Sequence, residues 1–370
     1  MRGSLVISVV ALIVGVLIGT FIPSLGPATM VSNEASDGEA ATAGGGIGDP
    51  VRWKMASSFS GELVQLGDQG QLLEKRIGEL SNGNMQVKFF EPGALVPALE
   101  IFDAVSTGSI NAGWTASGYW AGKVPAMQFF TAVPFGPNAG ELLGWLYYGG
   151  GKELWTELYE AHNIHSIPCN MVSPEGSGWF KEEMNSLEDL QGLKMRFFGL
   201  GAKVMEKLGV STQLIAGGDI FPALELGTID ATEFSSPAID LDLGFHQIAK
   251  HYYFPGWHQP LSVGEFMINL DNWNSLSTTQ QEIINAACME SMLRGFAQGE
   301  AIQFPALREL ESKGVTLHRW SPEILAALEA AWTEVVAEEA AANEDFARVW
   351  TSLSEFREGY KLWGSLGYLP

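Results

Sequence analysis

IFPALELGTIDATEFSS, residues 220–236, carries the pattern on which the fold turns. Its first part, IFPALELGTIDAT at 220–232, lines up with IFDAVSTGSINAG at 101–113, a constant offset of 119 residues (220 against 101). Ile, Phe, Ala, Gly, Ile and Ala coincide, at 101, 102, 104, 108, 110 and 112 in the first copy. Each copy reads as a short helix, a glycine cap, and a strand of small and β-branched residues. Helix–Gly–strand units look alike in any α/β protein, so the echo is either coincidence or the mark of two similar lobes. Two α/β lobes with a cleft between them are a common way to enclose a small ligand. In the second copy Ile229, Ala231 and Glu233 follow a period of two, so an apolar stripe ends in a carboxylate. Such a charge is paired, bound to something, or turned to water.

The sequence on either side supports a parallel α/β sheet. RWKMAS (52–57) and MQVKFF (85–90) read as strands, the second from its alternating Met85, Val87 and Phe89. Between them Leu66, Leu73, Ile77 and Leu80 mark one helix face, with Gly70 in the intervening slot and SNGN at 81–84 as the stop. The chain has 370 residues, 46% of them hydrophobic, with 12 Trp and 20 Phe, enough for a substantial core and for two domains. Its 43 acidic against 21 basic residues give a formal charge of −22. That argues against nucleic acid or anionic lipid as a partner.

The ends are distinct. Arg2 precedes an uncharged apolar stretch from Ser4 to Leu25, so residues 1–26 are expected to be an export signal or an uncleaved membrane anchor. Residues 27–50, rich in small and polar residues and in glycine, read as a flexible linker. From Ser321 to Trp350 a Ser cap, Pro322 and an Ala/Glu/Leu-rich run predict one long helix with an apolar face through Ile324, Leu328, Trp332 and Val335. That face packs on a partner chain or across the protein's own lobes. Cys169 and Cys288 have no metal-ligand spacing; they either pair or are buried and inert, and the inert reading is preferred.

Residues 194–240, KMRFFGLGAKVMEKLGVSTQLIAGGDIFPALELGTIDATEFSSPAID, resemble the substrate-binding proteins of TRAP (tripartite ATP-independent periplasmic) transporters, the DctP type. GYWAGKVPAMQFFTAVPFG (118–136) and YYFPGWHQP (252–260) resemble the subgroup that binds 2-oxo and hydroxy acids. The resemblance implies an α/β, two-lobed periplasmic binding protein with its ligand cleft between the lobes. The approximate lobes are 51–170 with 238–272, and 171–237 with 273–320, followed by the C-terminal helix and tail at 321–370. It implies a receptor that closes on a small 2-oxo or 2-hydroxy monocarboxylate beside a metal ion and delivers it to a membrane permease. Dimerisation through the C-terminal helix and a periplasmic location, free or anchored, are implied too.

By the same resemblance Arg196, in KMRFFG, grips the ligand carboxylate; a guanidinium does so bidentately. Glu233 and the backbone carbonyl of Phe234 fall where the subgroup has a metal-binding Glu-Trp. Glu175, in PEGSGWF, stands where Gln is usual, and Gln259, in PGWHQP, where Glu is usual. The two departures are reciprocal, leaving two carboxylates, an amide and a carbonyl, a set of hard oxygen ligands that favours Ca²⁺, with Na⁺ as the alternative. Asn170 and Tyr119 match ligand contacts, Glu175 and Phe234 adjoin the ligand as well as the ion, and Phe59 closes a wall. Trp120 reads as packing, and His258 as a surface or core imidazole.

Two other classes compete: a metal-dependent enzyme acting on a 2-oxo acid with Glu175 and Glu233 as acid and base, and a periplasmic sensor subunit. No G-x-S-x-G, H-E-x-x-H, Walker A or G-x-G-x-x-G occurs in a supporting context, which favours a receptor over an enzyme.

Overall fold

The structure, a computed structural model, describes residues 47–368. The expected export segment and most of the linker lie outside the described residues. Among those described, no helix is long and apolar enough to cross a membrane.

In chain order come β1 (Val51–Ser57), α1 (Gly67–Leu80), β2 (Met85–Phe90), α2 (Ile101–Ser106), β3 (Ala112–Thr115), α3 (Ala139–Tyr148), α4 (Gly151–Glu160) and β4 (Ile164–Val172). Next are β5 (Gly178–Phe180), β6 (Lys194–Arg196), α5 (Leu200–Lys207), β7 (Ser211–Gln213), α6 (Gly217–Glu225), β8 (Ala231–Thr232) and α7 (Pro237–Leu243). The last are β9 (His251–Phe254), β10 (Ser262–Asn269), α8 (Leu270–Asn274), α9 (Thr278–Ser312), β11 (Thr316–Arg319), α10 (Pro322–Ala342) and α11 (Glu344–Gly367).

The strands form two sheets, β2-β1-β3-β10-β4 and β11-β9-β5-β8-β6-β7. The echo belongs to a larger repeat. β1-α1-β2-α2-β3 forms the parallel order β2-β1-β3, and β6-α5-β7-α6-β8 forms the parallel order β7-β6-β8. An antiparallel strand follows in each sheet, β10 beside β3 and β5 beside β8. Gly108 (φ +74°) and Gly227 (φ +71°) end the matching helices in the left-handed conformation that side chains resist. Ile110 and Ile229 are then buried, leading into buried Ala112 and Ala231.

The chain passes between the sheets three times: once from β10 to β11 through α8 and α9, and at two short crossings, Ser173–Ser177 from β4 to β5 and Pro255–Leu261 from β9 to β10. The short crossings touch: the Glu175 N–H donates to the Gln259 carbonyl (3.2 Å). The boundaries expected for the lobes shift accordingly. β9, expected in the first lobe, pairs with β5 and β11 in the second sheet. α9, expected in the second, packs on β4 and α1 of the first. Such pairings are non-local, and strand composition alone does not reveal them.

Cys169 on β4 and Cys288 on α9 form a disulfide, so the inert reading is corrected: packing of α9 across β4 brings the two positions together. The long helix expected from Ser321 to Trp350 is also interrupted. It starts at Ser321, whose Oγ accepts from Ile324 N, but stops at Ala342; Asn343 caps a second helix by accepting from Phe346 N (2.8 Å). α10 lies on α5 of the second lobe, where Lys203 pairs with Glu339 and Lys207 with Glu338. α11 crosses to the first lobe, packing Phe346 and Trp350 against Phe129 and accepting the Trp145 indole N–H on Ser352 (3.1 Å).

A buried carboxylate sits behind the cleft wall of the first lobe. Glu265, on β10 beside a bulge at Gly264, accepts from Trp120 Nε1 (3.1 Å) and Ser166 Oγ (2.7 Å). Burial pushes its carboxyl up to about 7, against the opposing pull of its hydrogen bonds. A raised folded value means that the stability it supports is complete below the ordinary carboxylate range and is lost as pH rises through about 7. Thermal melting from pH 4 to pH 8 should therefore decline for the wild type and flatten for Glu265→Gln, by on the order of 3 kcal/mol. Parallel profiles would remove Glu265 from this account.

Candidate ligand- and metal-binding site

The first and third strands of the repeat unit in the second lobe begin the site. β6 ends at Arg196 and β8 at Thr232, and the two pair in parallel, so Arg196 and Glu233 emerge side by side at the strand ends. Arg196 is 1% exposed and Glu233 fully buried. Arg196 Nη1 donates to the Glu233 carboxylate (2.7 Å) and carbonyl (2.9 Å), and Nε donates to the Ile215 carbonyl (3.2 Å). Of the five N–H donors of a guanidinium, these engage three and leave the two on Nη2, and Arg196 lines a cavity. The charge that ends the apolar stripe is thus paired.

Glu233 Oε1 also accepts from Phe198 N (2.5 Å), while Oε2 has no hydrogen-bond partner. Glu175 and Gln259 arrive on the two short crossings. Gln259 Nε2 and Ser262 Oγ both donate to Glu175 Oε1 (2.9 Å each). Glu175 Oε2 and Gln259 Oε1 are buried without partners. His258 lies between the carboxylates, its Nε2 3.6 Å from Glu233 Oε2 and 3.8 Å from Glu175 Oε2. Ligand atoms of Glu175, Glu233 and His258 all fall within 4.8 Å of one another.

The two carboxylates are driven apart in acidity. Burial, and then the Glu233 charge, push Glu175 well above its usual range. Burial acts on Glu233 in the same sense, but Arg196, His258 and the Phe198 N–H outweigh it and hold its carboxyl low. Asp240 on α7 braces the arrangement. It accepts from Ser235 N (3.0 Å), Trp179 Nε1 (2.8 Å) and Tyr252 Oη (2.9 Å), which fixes the turn after Phe234.

Arg196, Glu175 and Gln259 line a cavity of about 40 Å³ whose other walls include Tyr119, Phe59, Phe198 and Phe234. Tyr119 stacks edge-on against Phe198 (4.8 Å), and its hydroxyl is pushed up to about 12, first by burial, so it stays a donor at neutral pH. The Phe234 ring lies 5.2 Å from the Arg196 guanidinium. Of the residues expected in the site, the structure brings Arg196, Tyr119, Glu175, Glu233, Phe234, Gln259 and Phe59 together. Asn170 is the exception. Its Nδ2 donates to the Gln65 carbonyl (2.6 Å) and its amide packs against Gly295 of α9, so it braces the cleft from behind. Trp120 packs as expected. His258, read as a surface or core imidazole, is buried, and the two carboxylates beside it lie far away in sequence.

Orphaned oxygens of two carboxylates and an amide, buried beside a guanidinium, are the donor set of a hard cation next to an anion. The residues present therefore fit the expected ion. A two-lobed fold with this cluster beside its crossings has the donors to hold a cation and an anion together.

The chain belongs to the bacterial extracellular solute-binding protein family 7, the DctP family, whose profile matches residues 57–343. It is accordingly a solute-binding receptor of the TRAP type and not an enzyme. It is 38% identical over 320 residues to a monocarboxylate 2-oxoacid-binding periplasmic protein of Nostoc sp., covering 86% of this chain and 87% of that one. A TRAP transporter solute-binding protein from Bordetella bronchiseptica, a mixed-occupancy dimer with copurified calcium and picolinate, superposes with a TM-score of 0.83 at 36% identity, over 85% of this chain and 94% of that one. One from Pseudoalteromonas atlantica with bound sodium and pyruvate gives 0.81 at 34% identity, over 85% and 96%.

Proposed function

We propose that the protein is the exported receptor that captures a small 2-oxo or 2-hydroxy monocarboxylate together with Ca²⁺ or Na⁺ and hands it to a TRAP permease. The observation that carries this reading is the set of buried oxygens without hydrogen-bond partners, on Glu175, Glu233 and Gln259, in the cluster that holds Arg196. Arg196 Nη2 takes the ligand carboxylate, and the Tyr119 hydroxyl donates to it or to the 2-oxygen. Glu175, Glu233, Gln259 and the Phe234 carbonyl hold the ion, while His258 steadies Glu233. The bound ion supplies positive charge to the carboxylate and 2-oxygen at once. Ca²⁺ is favoured over Na⁺ because a divalent ion and Arg196, set against Glu175, Glu233 and the ligand, leave the buried chamber without net charge.

Related proteins with calcium or sodium beside a small carboxylate support the choice of ligand and ion. The cavity of about 40 Å³ suits a ligand of few heavy atoms, since one water needs roughly 10–15 Å³. The disulfide supports an oxidising, periplasmic location, and residues 1–26 as the export signal or anchor. The lobes are the two sheets with their covering helices. A dimer through the C-terminal helices draws support from exposed Leu362, Trp363 and Leu366 on α11.

Calorimetry with pyruvate and lactate, with the protein freed of ions and then resupplied with Ca²⁺ or Na⁺, tests the reading. Affinity should fall at least about tenfold without either ion. Unchanged affinity after thorough ion removal would rule out the shared ion, and turnover of either acid would rule out the receptor.

A further inference from the structure

The cavity at Arg196 does not end at its aromatic wall. Phe59, after β1 of the first lobe, and Phe234, after β8 of the second, line both this inner chamber and an outer one of about 680 Å³. One aromatic ring from each lobe therefore separates a very small chamber from a large one. Phe234 is held in place from two sides. Its ring faces the Arg196 guanidinium, and it lies so close to Gly217 of α6 that any Cβ there would come within 2.8 Å of it.

The chambers differ in charge. The inner one presents Arg196 and the unpaired Glu175 and Gln259 oxygens, on side chains no more than 4% exposed. Among the described residues, the charged groups lining the outer one are Glu62, Glu91 and Asp242, and its lining includes no Lys or Arg. Glu91 is fixed by accepting from Gly61 N (2.9 Å), and burial raises the Asp242 carboxyl. A ligand whose carboxylate and 2-oxygen occupy the inner chamber must push its side chain between the two rings, into a space walled by carboxylates.

We propose that Phe59 and Phe234 form a length gate, and that Glu62, Glu91 and Asp242 form a charge filter behind it. Together they restrict this receptor to monocarboxylates with short, uncharged side chains. This rests on the functional reading above and adds the residues that set ligand class. Specificity of this kind comes from opposing the wrong ligand as much as from fitting the right one.

The test is calorimetry on the full chain with Ca²⁺, using pyruvate, 2-oxohexanoate and 2-oxoglutarate. In the wild type the order should be pyruvate over 2-oxohexanoate, with 2-oxoglutarate weakest. Phe59→Ala should raise the affinity for 2-oxohexanoate relative to pyruvate by about tenfold, while 2-oxoglutarate stays excluded. The triple variant Glu62→Gln, Glu91→Gln, Asp242→Asn alters only the outer chamber. It should bind pyruvate as before, and in combination with Phe59→Ala it should gain about tenfold for 2-oxoglutarate. An unchanged 2-oxohexanoate to pyruvate ratio in Phe59→Ala and in the milder Phe59→Leu overturns the gate. No gain for 2-oxoglutarate in the combined variant overturns the filter. A wild type that binds none of the three acids overturns the functional reading itself, and the gate with it.

Discussion

Replacing Arg196 with Ala is expected to abolish binding of small monocarboxylates, with a loss of about 3–5 kcal/mol, or roughly a hundred- to several-thousand-fold. The magnitude follows from burial. Arg196 lines the inner chamber and is 1% exposed, so solvent screens its charge little there. Its removal also leaves Glu233, with Oε2 already unpartnered, as an uncompensated charge, which destabilises by a similar amount. The two effects separate in the double variant Arg196→Ala, Glu233→Gln, which should recover much of the melting temperature and none of the binding. Arg196→Lys should fall between, because an ammonium cannot present the paired donors of a guanidinium. Calorimetry on folded Arg196→Ala that returns an affinity within about threefold of wild type would remove Arg196 from the site.

The second large effect concerns stability. Changing Cys169 and Cys288 together to Ser should lower the free energy of unfolding by about 2–5 kcal/mol. The bridge closes a loop with a sequence separation of 119 residues, and it ties α9 to β4 of the first sheet. Loops of this size constrain the unfolded chain strongly. Denaturant titrations should show an earlier midpoint, and pyruvate affinity should barely move because neither cysteine lines the cavity. Coincident midpoints for the oxidised wild type and the double Ser variant would show that packing alone holds α9 on the sheet.

Much of the scaffold was legible because it is local. The strands at 51–57 and 85–90, the helix between them, and the helix–Gly–strand echo rest on periodicity and on glycines whose φ the structure confirms as positive. Arg196 and Glu233 were legible as a pair of charges flanked by apolar residues, though resemblance was needed to aim them at a ligand. The rest depended on long-range packing. β4 is buried along almost its whole length, so alternation could not tell which face Asn170 occupies. His258 gained its meaning from carboxylates on other segments. The 35-residue α9 has a diffuse apolar pattern and an internal proline, though its Ser277–Gln280 capping box could have been read. The break at Asn343 was written in the sequence as Asn-Glu-Asp-Phe, a cap followed by acidic first-turn residues.

The two short crossings between the sheets also carry Glu175 and Gln259. Any swing of one lobe on the other must bend the same residues that are to grip the cation. On the proposed reading, loading and closing are one equilibrium, and linkage makes the coupling mutual: by whatever factor the cation tightens the acid, the acid tightens the cation. A receptor prised open at its permease would then slacken its hold on both passengers together, and its release step would answer to the salt outside the cell as well as to the supply of substrate.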